Sequence, residues 1–242
     1  MNIIGPFMAG CRALAASLPN RCLLCHQQVA APGSGICLTC LQTCLYRTPV
    51  CLGCGRKLTI LARYCGGCLT TRPLPVIAPA SYHSLLGPLI PRIKYQAQFA
   101  AMPPLVTALV QQVNALHAAE VIPIPQVLIP VPLHPRRLRQ RGFNQAWLIA
   151  RMLGQQLQLP VADGVLQRVV ATLPQTGMDG RARRRNLRGA FRVMDKFPYQ
   201  RIALVDDVVT TGTTVDEIAR TLAPWTPDIQ VWCLARAEAP GV

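Results

Sequence analysis

RIALVDDVVTTGTT, at residues 201–214, is the most informative part of the sequence. Residues 202–206 have the continuous apolar character of a buried parallel strand that ends in an acid pair, Asp206 and Asp207. A turn rich in hydroxyl groups follows, with Gly212 at its tightest point, and a helix is expected to start at Thr213. Loop amides and a helix N-terminus can bind a phosphate, while carboxylates can accept hydrogen bonds from sugar hydroxyls. The stretch therefore predicts a site for a sugar phosphate.

A simpler interpretation of the same stretch is an ordinary strand, turn and capped helix. A cap needs one side chain, however, whereas four threonines and two aspartates crowd residues 206–214. We therefore favour the ligand-binding interpretation.

Strands and helices are predicted to alternate on both sides of this stretch. The predicted strands are 76–83, 127–133, 165–170, 202–206 and 229–235, and the predicted helices are 85–94, 104–117, 144–157 and one from 213 onward. Strands separated by helices of this length need crossover connections, which gives a mostly parallel α/β sheet with helices on both faces. Ligands bind such sheets beyond the carboxyl ends of the strands.

The cysteines are concentrated near the N-terminus, where four C-x2-C pairs stand within fifty residues. The eight paired cysteines are Cys22, Cys25, Cys37, Cys40, Cys51, Cys54, Cys65 and Cys68. Two such turns complete the tetrahedral four-sulfur shell that Zn²⁺ prefers, so two structural zinc sites are expected. Pairing of the first two turns and of the last two is simplest, but an interleaved arrangement has the same ligands. Disulfides are the alternative, and they need an oxidising compartment.

The composition divides the chain into three parts. Residues 1–19 are interpreted as a short lead-in helix, because they lack a basic start and Arg12 interrupts the apolar core that an export signal needs. Residues 20–72 form the expected zinc module, and residues 73–242 form the expected α/β domain after a proline-rich linker. No apolar run is long enough to span a membrane, and because a credible export signal is lacking as well, a cytoplasmic location is expected.

Positive charge dominates the chain, whose formal net charge is +15. Arginine outnumbers lysine 22 to 3, and residues 1–119 contain no acid. Arginine suits bidentate contact with phosphate or carboxylate, which predicts an anionic partner, although solvated surface charge gives the same totals.

Two arginine-rich segments are candidates for such contacts. The first follows the predicted strand 127–133 and contains Arg136, Arg137, Arg139 and Arg141, which either bind pyrophosphate or form a solvated basic helix. The second contains Arg181, Arg183, Arg184, Arg185, Arg188 and Arg192. This second segment fits either a loop that closes over the ligand or a nucleic-acid contact.

Residues 206–214 resemble the phosphoribosyl pyrophosphate (PRPP) motif of type I phosphoribosyltransferases, two acids followed by x-x-x-Thr-Gly-x-Thr. With the four cysteine pairs ahead of it, the chain from about residue 20 to 236 resembles the ComF/GntX proteins, which are linked to competence and to the use of external DNA. Three further segments agree with that family: Lys94 with Tyr95, residues 131–145, and residues 175–191.

The resemblance implies a phosphoribosyltransferase-type sheet that binds PRPP with Mg²⁺. Asp206 and Asp207 would contact the ribose hydroxyls and act in any catalysis. The remaining implied PRPP contacts are Val208, Val209, Thr210, Thr211, Gly212, Thr213, Thr214, Arg136, Arg137, Lys94 and Arg183. Single-stranded DNA is the implied partner of Arg181, Arg184, Arg185 and Arg188, and DNA-uptake proteins are further implied partners.

Three functions remain open at the level of sequence. The first is a PRPP-binding protein that handles incoming single-stranded DNA. The second is an active transferase that moves phosphoribose from PRPP to a base, and the third is a docking protein whose zinc module binds a partner under control of PRPP. The lack of acids in residues 1–119 leaves no general base in the part that would cover the pocket, which favours binding over turnover.

Overall fold

The structure is a computed structural model, and it describes residues 20–30, 33–170, 187–194 and 197–238. The helices are α1 (Leu38–Cys44), α2 (Gly66–Thr71), α3 (Leu89–Gln96), α4 (Met102–Ala118), α5 (Pro135–Arg141), α6 (Gln145–Leu157) and α7 (Thr213–Leu222), with a 3-10 turn at Phe99–Ala101. The strands are β1 (Val76–Ile77), β2 (Val127–Pro130), β3 (Leu166–Arg168), β4 (Phe191–Val193), β5 (Arg201–Val209) and β6 (Asp228–Arg236).

Four strands form a parallel sheet in the order β1-β6-β5-β2. β5 is central, and it pairs with β2 from Ile202 to Val205 and with β6 from Arg201 to Val209. Parallel strands need crossover connections, and helices α4 and α6 provide the long ones. The predicted mostly parallel sheet is confirmed.

Both faces of the sheet are buried, as the apolar run in β5 predicted. Ala203 and Val205 belong to a core that includes apolar residues of α4 and α6, such as Leu105 and Ile149. Leu204, which points to the other face because side chains alternate along a strand, belongs to a second core that includes apolar residues of α7. The sheet is therefore covered by helices on both sides.

Several element bounds differ from the sequence prediction. The strand expected at 76–83 stops at Ile77, and the chain touches the sheet again only through an isolated bridge between Ser81 and Arg236. Pro79 lies between these contacts and has no amide to donate, which accounts for the break. The helix expected at 85–94 begins at Leu89, after Gly87 and Pro88.

A two-stranded antiparallel sheet was not predicted. β3 falls within the strand expected at 165–170, but it pairs with β4 and lies outside the parallel sheet. Helix α5 was expected only in one of the two interpretations of the first arginine-rich segment, as a solvated basic helix. It begins after His134, whose ring nitrogen accepts from the amide of Arg136 at 3.2 Å. Both elements carry arginines of the site described below.

The cysteine-rich part packs directly on the edge of the sheet. The amide of Val76 in β1 donates to the carbonyl of Leu52 at 2.8 Å, and the amide of Tyr46 donates to Pro79 at 2.9 Å. Cys22, Cys40 and Leu52 share one continuous core with apolar residues of α3 and α4. The two parts of the chain therefore stabilise each other.

The expected lead-in helix at 1–19 lies outside the described residues. Within the described part of the chain, no helix is both long enough and apolar enough to cross a membrane.

Candidate functional site

A cavity of about 800 Å³ opens at the carboxyl ends of β2 and β5. Residues 206–215 line it without a gap, so the whole acid pair and hydroxyl-rich turn face one space. The other polar side chains that line it are Tyr82, Lys94, Tyr95, Arg137, Gln140, Arg141, Gln145 and Arg168. The cavity thus forms where ligands of parallel α/β sheets bind.

The unequal lengths of the strands expose the acid pair to this cavity. β2 ends at Pro130, opposite Val205, whereas β5 continues to Val209 alongside β6. The prediction that the strand ends at Asp206 was therefore wrong by three residues, because β6 supplies hydrogen-bonding partners beyond the end of β2. Asp206 and Asp207 therefore lie in the part of β5 that extends beyond the end of β2.

Asp207 is almost fully buried, with 2% of its surface exposed, and it pairs with Lys94. Its Oδ2 lies 2.9 Å from Nζ of Lys94, which comes from α3. Burial opposes the charge on Lys94, but the carboxylates of Asp207 and Asp206 outweigh that effect and raise the pKa of the lysine. The ammonium group is therefore held charged beside the acid pair.

Asp206 has an unusual protonation state for an aspartate. Burial and the adjacent charge of Asp207 raise its pKa to about 8, although Lys94 opposes the shift. The amide of Asp207 donates to Oδ1 of Asp206 at 2.8 Å and so fixes the carboxyl group. A carboxyl group in this state can lose its proton when a cation or a hydroxyl donor enters the cavity.

The replacement Asp206→Asn is expected to stabilise the protein at pH 8. With its pKa raised in the folded state, Asp206 holds a proton from about pH 4 to 8 that the unfolded chain releases, so its presence costs stability progressively as pH rises through that window. Asparagine removes this penalty. Because each unit of pKa shift corresponds to about 1.4 kcal/mol, we expect a gain of a few kcal/mol at pH 8 and little change at pH 4. Thermal melts of both proteins across this range measure the difference. A difference that does not depend on pH would contradict the assignment.

The turn after the acid pair has the geometry predicted for it. Gly212 adopts a left-handed conformation, with φ of 75°, and stands immediately before α7, which begins at Thr213 as expected. The hydroxyl groups of Thr211 and Thr213 lie 2.8 Å apart. No side chain caps the start of α7 in the described structure, so its first amides are oriented for an anion.

The first arginine-rich segment contributes only part of its charge to the cavity. Arg137 and Arg141 line it, whereas Arg136 and Arg139 lie exposed on α5. Arg141 donates to Oε1 of Gln145 at 2.7 Å, and its guanidinium group lies 5.2 Å from the ring centre of Tyr95. Helix α5 therefore presents one side to the ligand space and the other to solvent.

The second arginine-rich segment falls mostly outside the described residues. The arginines that lie outside are Arg181, Arg183, Arg184 and Arg185. Arg188 is described and is exposed, and Arg192 is exposed on β4.

Arg168, at the end of β3, lines the cavity although the sequence analysis did not single it out. It is 6% exposed, and its guanidinium group lies 5.6 Å from the ring centre of Phe191. Burial and the nearby charge of Arg137 lower its pKa to about 10, while Asp206 opposes the shift. Its position near the end of a predicted strand was the one available signal, since ligands bind at such ends.

The eight paired cysteines gather into two separate groups. Cys22, Cys25, Cys37 and Cys40 form the first, and Cys51, Cys54, Cys65 and Cys68 form the second, with the sulfur atoms of each group within 4.8 Å of one another. The sulfurs of Cys25 and Cys37 are 3.7 Å apart, and those of Cys54 and Cys65 are 3.6 Å apart. A tetrahedral Zn–S shell requires about 3.8 Å between sulfurs. Each group therefore fits zinc, and the turns pair sequentially.

In each cysteine group, one thiol has a lowered pKa, whereas burial raises the pKa of Cys40, Cys54 and Cys68. Burial raises the pKa of Cys22, but backbone hydrogen bonds from Cys37, Cys25 and Leu24 outweigh it and lower that pKa to about 6. In the second group a backbone hydrogen bond from Cys68 lowers the pKa of Cys65 to about 7. Cys44 and Cys233 are buried and belong to neither group.

The fold and these sites define a class of protein in which two zinc ribbons are joined to a parallel α/β domain with a polar cavity. The family model of the double zinc ribbon domain matches residues 13–69. Competence protein F of Haemophilus influenzae is 37% identical over 223 residues, which cover 90% of this chain and 97% of that protein. DNA utilization protein YhgH of Salmonella typhi is 34% identical over 226 residues, with 91% and 98% covered.

This chain belongs to the family of competence protein F and DNA utilization protein YhgH. The family resemblance stated from the sequence is thereby confirmed. Among solved structures, the purine phosphoribosyltransferase from Pyrococcus horikoshii is 17% identical, with a TM-score of 0.34 over 55% of this chain and 70% of that one.

Proposed function

We propose that this protein binds PRPP with Mg²⁺ in the cavity at the end of β5 and serves in the use of DNA taken up by the cell. The observation that carries the proposal is the unbroken lining of one cavity by residues 206–215. In this lining, the acid pair can accept hydrogen bonds from sugar hydroxyls. The start of a helix, which can bind a phosphate, follows it directly. The names of the relatives supply the link to DNA.

The charges around the cavity suit a ligand with several negative charges. Four cations line it, against the two aspartates: Lys94, Arg137, Arg141 and Arg168. In the proposed complex Asp206 and Asp207 accept hydrogen bonds from the ribose hydroxyls. Residues 208–214 surround the 5′-phosphate, and Lys94 balances the acid pair.

Magnesium would enter with the ligand, whose phosphate oxygens are its preferred partners, and would offset part of the ligand's charge. The raised pKa of Asp206 means that binding of the magnesium ion beside this carboxyl group would be coupled to loss of a proton. The two zinc sites take no part in the chemistry, because four cysteines close each shell. Their role in the proposal is to hold the N-terminal part of the chain against the sheet.

Titration calorimetry with Mg²⁺-PRPP tests the proposal. We expect the wild type to bind and the double variant Asp206→Asn, Asp207→Asn to lose at least about tenfold in affinity, because the hydrogen bonds to ribose lose their charged acceptors. Asp163→Asn is the matched control, since Asp163 is an exposed acid outside the cavity. Equal heats for wild type and double variant would end the assignment of the site.

The proposed DNA role is tested with a fluorescent single-stranded oligonucleotide on the same proteins. The positive charge of the chain predicts affinity that falls steeply as salt rises, because binding releases counterions from the phosphates. Arg181, Arg184, Arg185 and Arg188 are the proposed contacts. An affinity that stays flat with salt would contradict this part of the proposal while leaving PRPP binding untouched.

A further inference from the structure

We propose that a second cavity, which lies between the second cysteine group and the C-terminal half of α7, binds a nucleotide through one phosphate and the base. This cavity has a volume of about 720 Å³ and shares no lining residue with the cavity at the carboxyl ends of β2 and β5, which we call the first cavity. Asp228 and Ile229 line it where β6 begins, so it lies at the opposite end of the sheet from the acid pair. The inference therefore does not rest on PRPP binding.

Arginines line the second cavity from two sides. Arg63 and Arg72 come from the cysteine-rich part of the chain, and Arg220 comes from α7. Arg220 already pairs with the buried Glu217 of its own helix. In the described residues, by contrast, no carboxylate forms an ion pair with Arg63 or Arg72. These two guanidinium groups are therefore the cations with which an anionic group would pair.

Arg63 has an unsatisfied donor at this place. Its Nε is buried and has no hydrogen-bond acceptor among the residues that the structure describes. A buried donor without an acceptor costs free energy, and a phosphate offers two oxygens in the geometry that a guanidinium group binds. A phosphate that binds against Arg63, with Arg72 nearby on the same part of the chain, would supply the missing acceptor.

An aromatic ring stands next to this cation. The guanidinium group of Arg63 lies 5.5 Å from the ring centre of Tyr64, whose hydroxyl donates to the carbonyl of Pro73 at 2.7 Å. The ring is thus fixed between the cation and the proline-rich linker, and it lines the cavity. Nucleotide bases stack on aromatic rings and on guanidinium groups. Adjacent residues can therefore bind both the phosphate and the base.

One acid in the lining favours a nucleotide over a ligand with many negative charges. Asp228 is partly exposed and forms no ion pair within the described part of the chain. Its carboxylate would repel a second anionic group, but it can accept a hydrogen bond from a base amino group or a sugar hydroxyl. Leu74, Ala223 and Ile229 add apolar contacts. A nucleotide combines one phosphate with a flat base and hydrogen-bond donors, whereas an acidic peptide brings further carboxylates.

Calorimetry with deoxyadenosine monophosphate (dAMP) tests this chemistry on the full chain. We expect Arg63→Gln to bind dAMP at least about tenfold more weakly than the wild type, because the phosphate loses a charged donor. Arg72→Gln should lose about threefold, since its side chain is exposed and its charge is screened. Inorganic phosphate should bind the wild type at least about fivefold more weakly than dAMP, because it has no base to stack.

Arg56→Gln is the matched control. Arg56 is an exposed arginine of the same cysteine-rich part, and it does not line the second cavity. Its dAMP affinity should stay within about twofold of the wild type. The affinity of Arg63→Gln and Arg72→Gln for Mg²⁺-PRPP should be unchanged, so failure of this inference and failure of the proposed PRPP site are distinguishable.

A nucleotide can reach the cavity free in solution or as part of a single strand, and a short fluorescent oligodeoxyadenylate separates the two sources. Tighter binding of the strand than of dAMP, lost in Arg63→Gln, would identify the strand as the ligand, and the reverse order would identify the free nucleotide.

Three results would overturn the proposal. The first is a wild type that binds neither dAMP nor the strand. The second is nucleotide binding that neither Arg63→Gln nor Arg72→Gln weakens, which would place the ligand in the first cavity. The third is an oligoglutamate peptide that binds more tightly than dAMP and depends on Arg63, which would assign the cavity to an acidic protein partner. If Arg63→Gln loses zinc or stability, Arg72→Gln decides alone, and an unchanged dAMP affinity in that variant would have the same consequence.

Discussion

Replacing Cys51 with serine is expected to remove one of two zinc ions per chain and to destabilise the whole protein. Cys51 is fully buried within the second four-cysteine group, and its sulfur also accepts a hydrogen bond from the amide of Cys65 at 3.1 Å. Structural zinc contributes about 10–16 kcal/mol of apparent binding free energy in isolated zinc-finger peptides. Opening one shell should therefore cost several kcal/mol, a large part of a typical domain's stability.

The effect should extend beyond the ribbon because the next residue belongs to the shared core. Leu52 is buried among residues of the α/β part, and its carbonyl accepts the amide of Val76 at the start of β1. Unfolding of the turn around Cys51 would uncover that edge of the sheet. We expect calorimetry to show a lower melting temperature for the main transition, and elemental analysis to show one zinc per chain instead of two.

Cys44 provides the matched control for this experiment. It is a buried cysteine close in sequence to the first group, yet it belongs to neither. Cys44→Ala should keep two zinc ions and lose only about 1 kcal/mol for the removed sulfur contacts. If Cys51→Ser also kept two zinc ions, the assignment of the second group as a metal site would be wrong.

The parts of the site that depend on neighbouring residues were predictable from the sequence. The turn at Gly212 and the helix start at Thr213 follow from local backbone preferences, and the structure has both. The eight cysteine ligands were predictable for the same reason, because each C-x2-C turn is a local unit. Their sequential pairing was only one of two arrangements, since it depends on how the turns pack together in space.

Contacts between distant residues could not be predicted. β3 and β4 are three residues each and are separated by more than twenty residues, which leaves no local signal for their pairing. Arg168 therefore appeared as an ordinary strand residue. The ion pair between Lys94 and Asp207 joins residues more than a hundred positions apart, and only the packing of α3 on the sheet brings them to 2.9 Å.

The role of Arg236 could not be predicted from the sequence. Its replacement is expected to have a large effect on stability. An arginine at the end of a strand suggests a solvated charge, but Arg236 is 7% exposed. Its Nη1 donates to the carbonyl of Leu52 at 2.8 Å and to that of Cys51 at 3.4 Å, and Nη2 donates to Gly53. One guanidinium group thus holds the turn that carries a cysteine of the second group.

The variant Arg236→Met is expected to lose about 3 kcal/mol of unfolding free energy, because the carbonyls of Cys51, Leu52 and Gly53 would all lose a charged donor that is itself buried. Urea unfolding followed by circular dichroism measures the loss. Arg201→Met is the control, since Arg201 is an exposed arginine at the start of β5 and should change stability by less than about 0.5 kcal/mol.

The variant Arg236→Met should weaken both zinc retention and ligand binding. Arg236 pairs in register with Val209, the last residue of β5 and part of the cavity lining, so it joins the second cysteine group to the strand that carries the acid pair. We therefore expect Arg236→Met to release zinc to a chelator faster than the wild type and also to weaken Mg²⁺-PRPP binding, although Arg236 does not line the cavity. Faster zinc release with unchanged ligand affinity would mean that the arginine fixes the ribbon alone and that the strand end keeps its geometry without it.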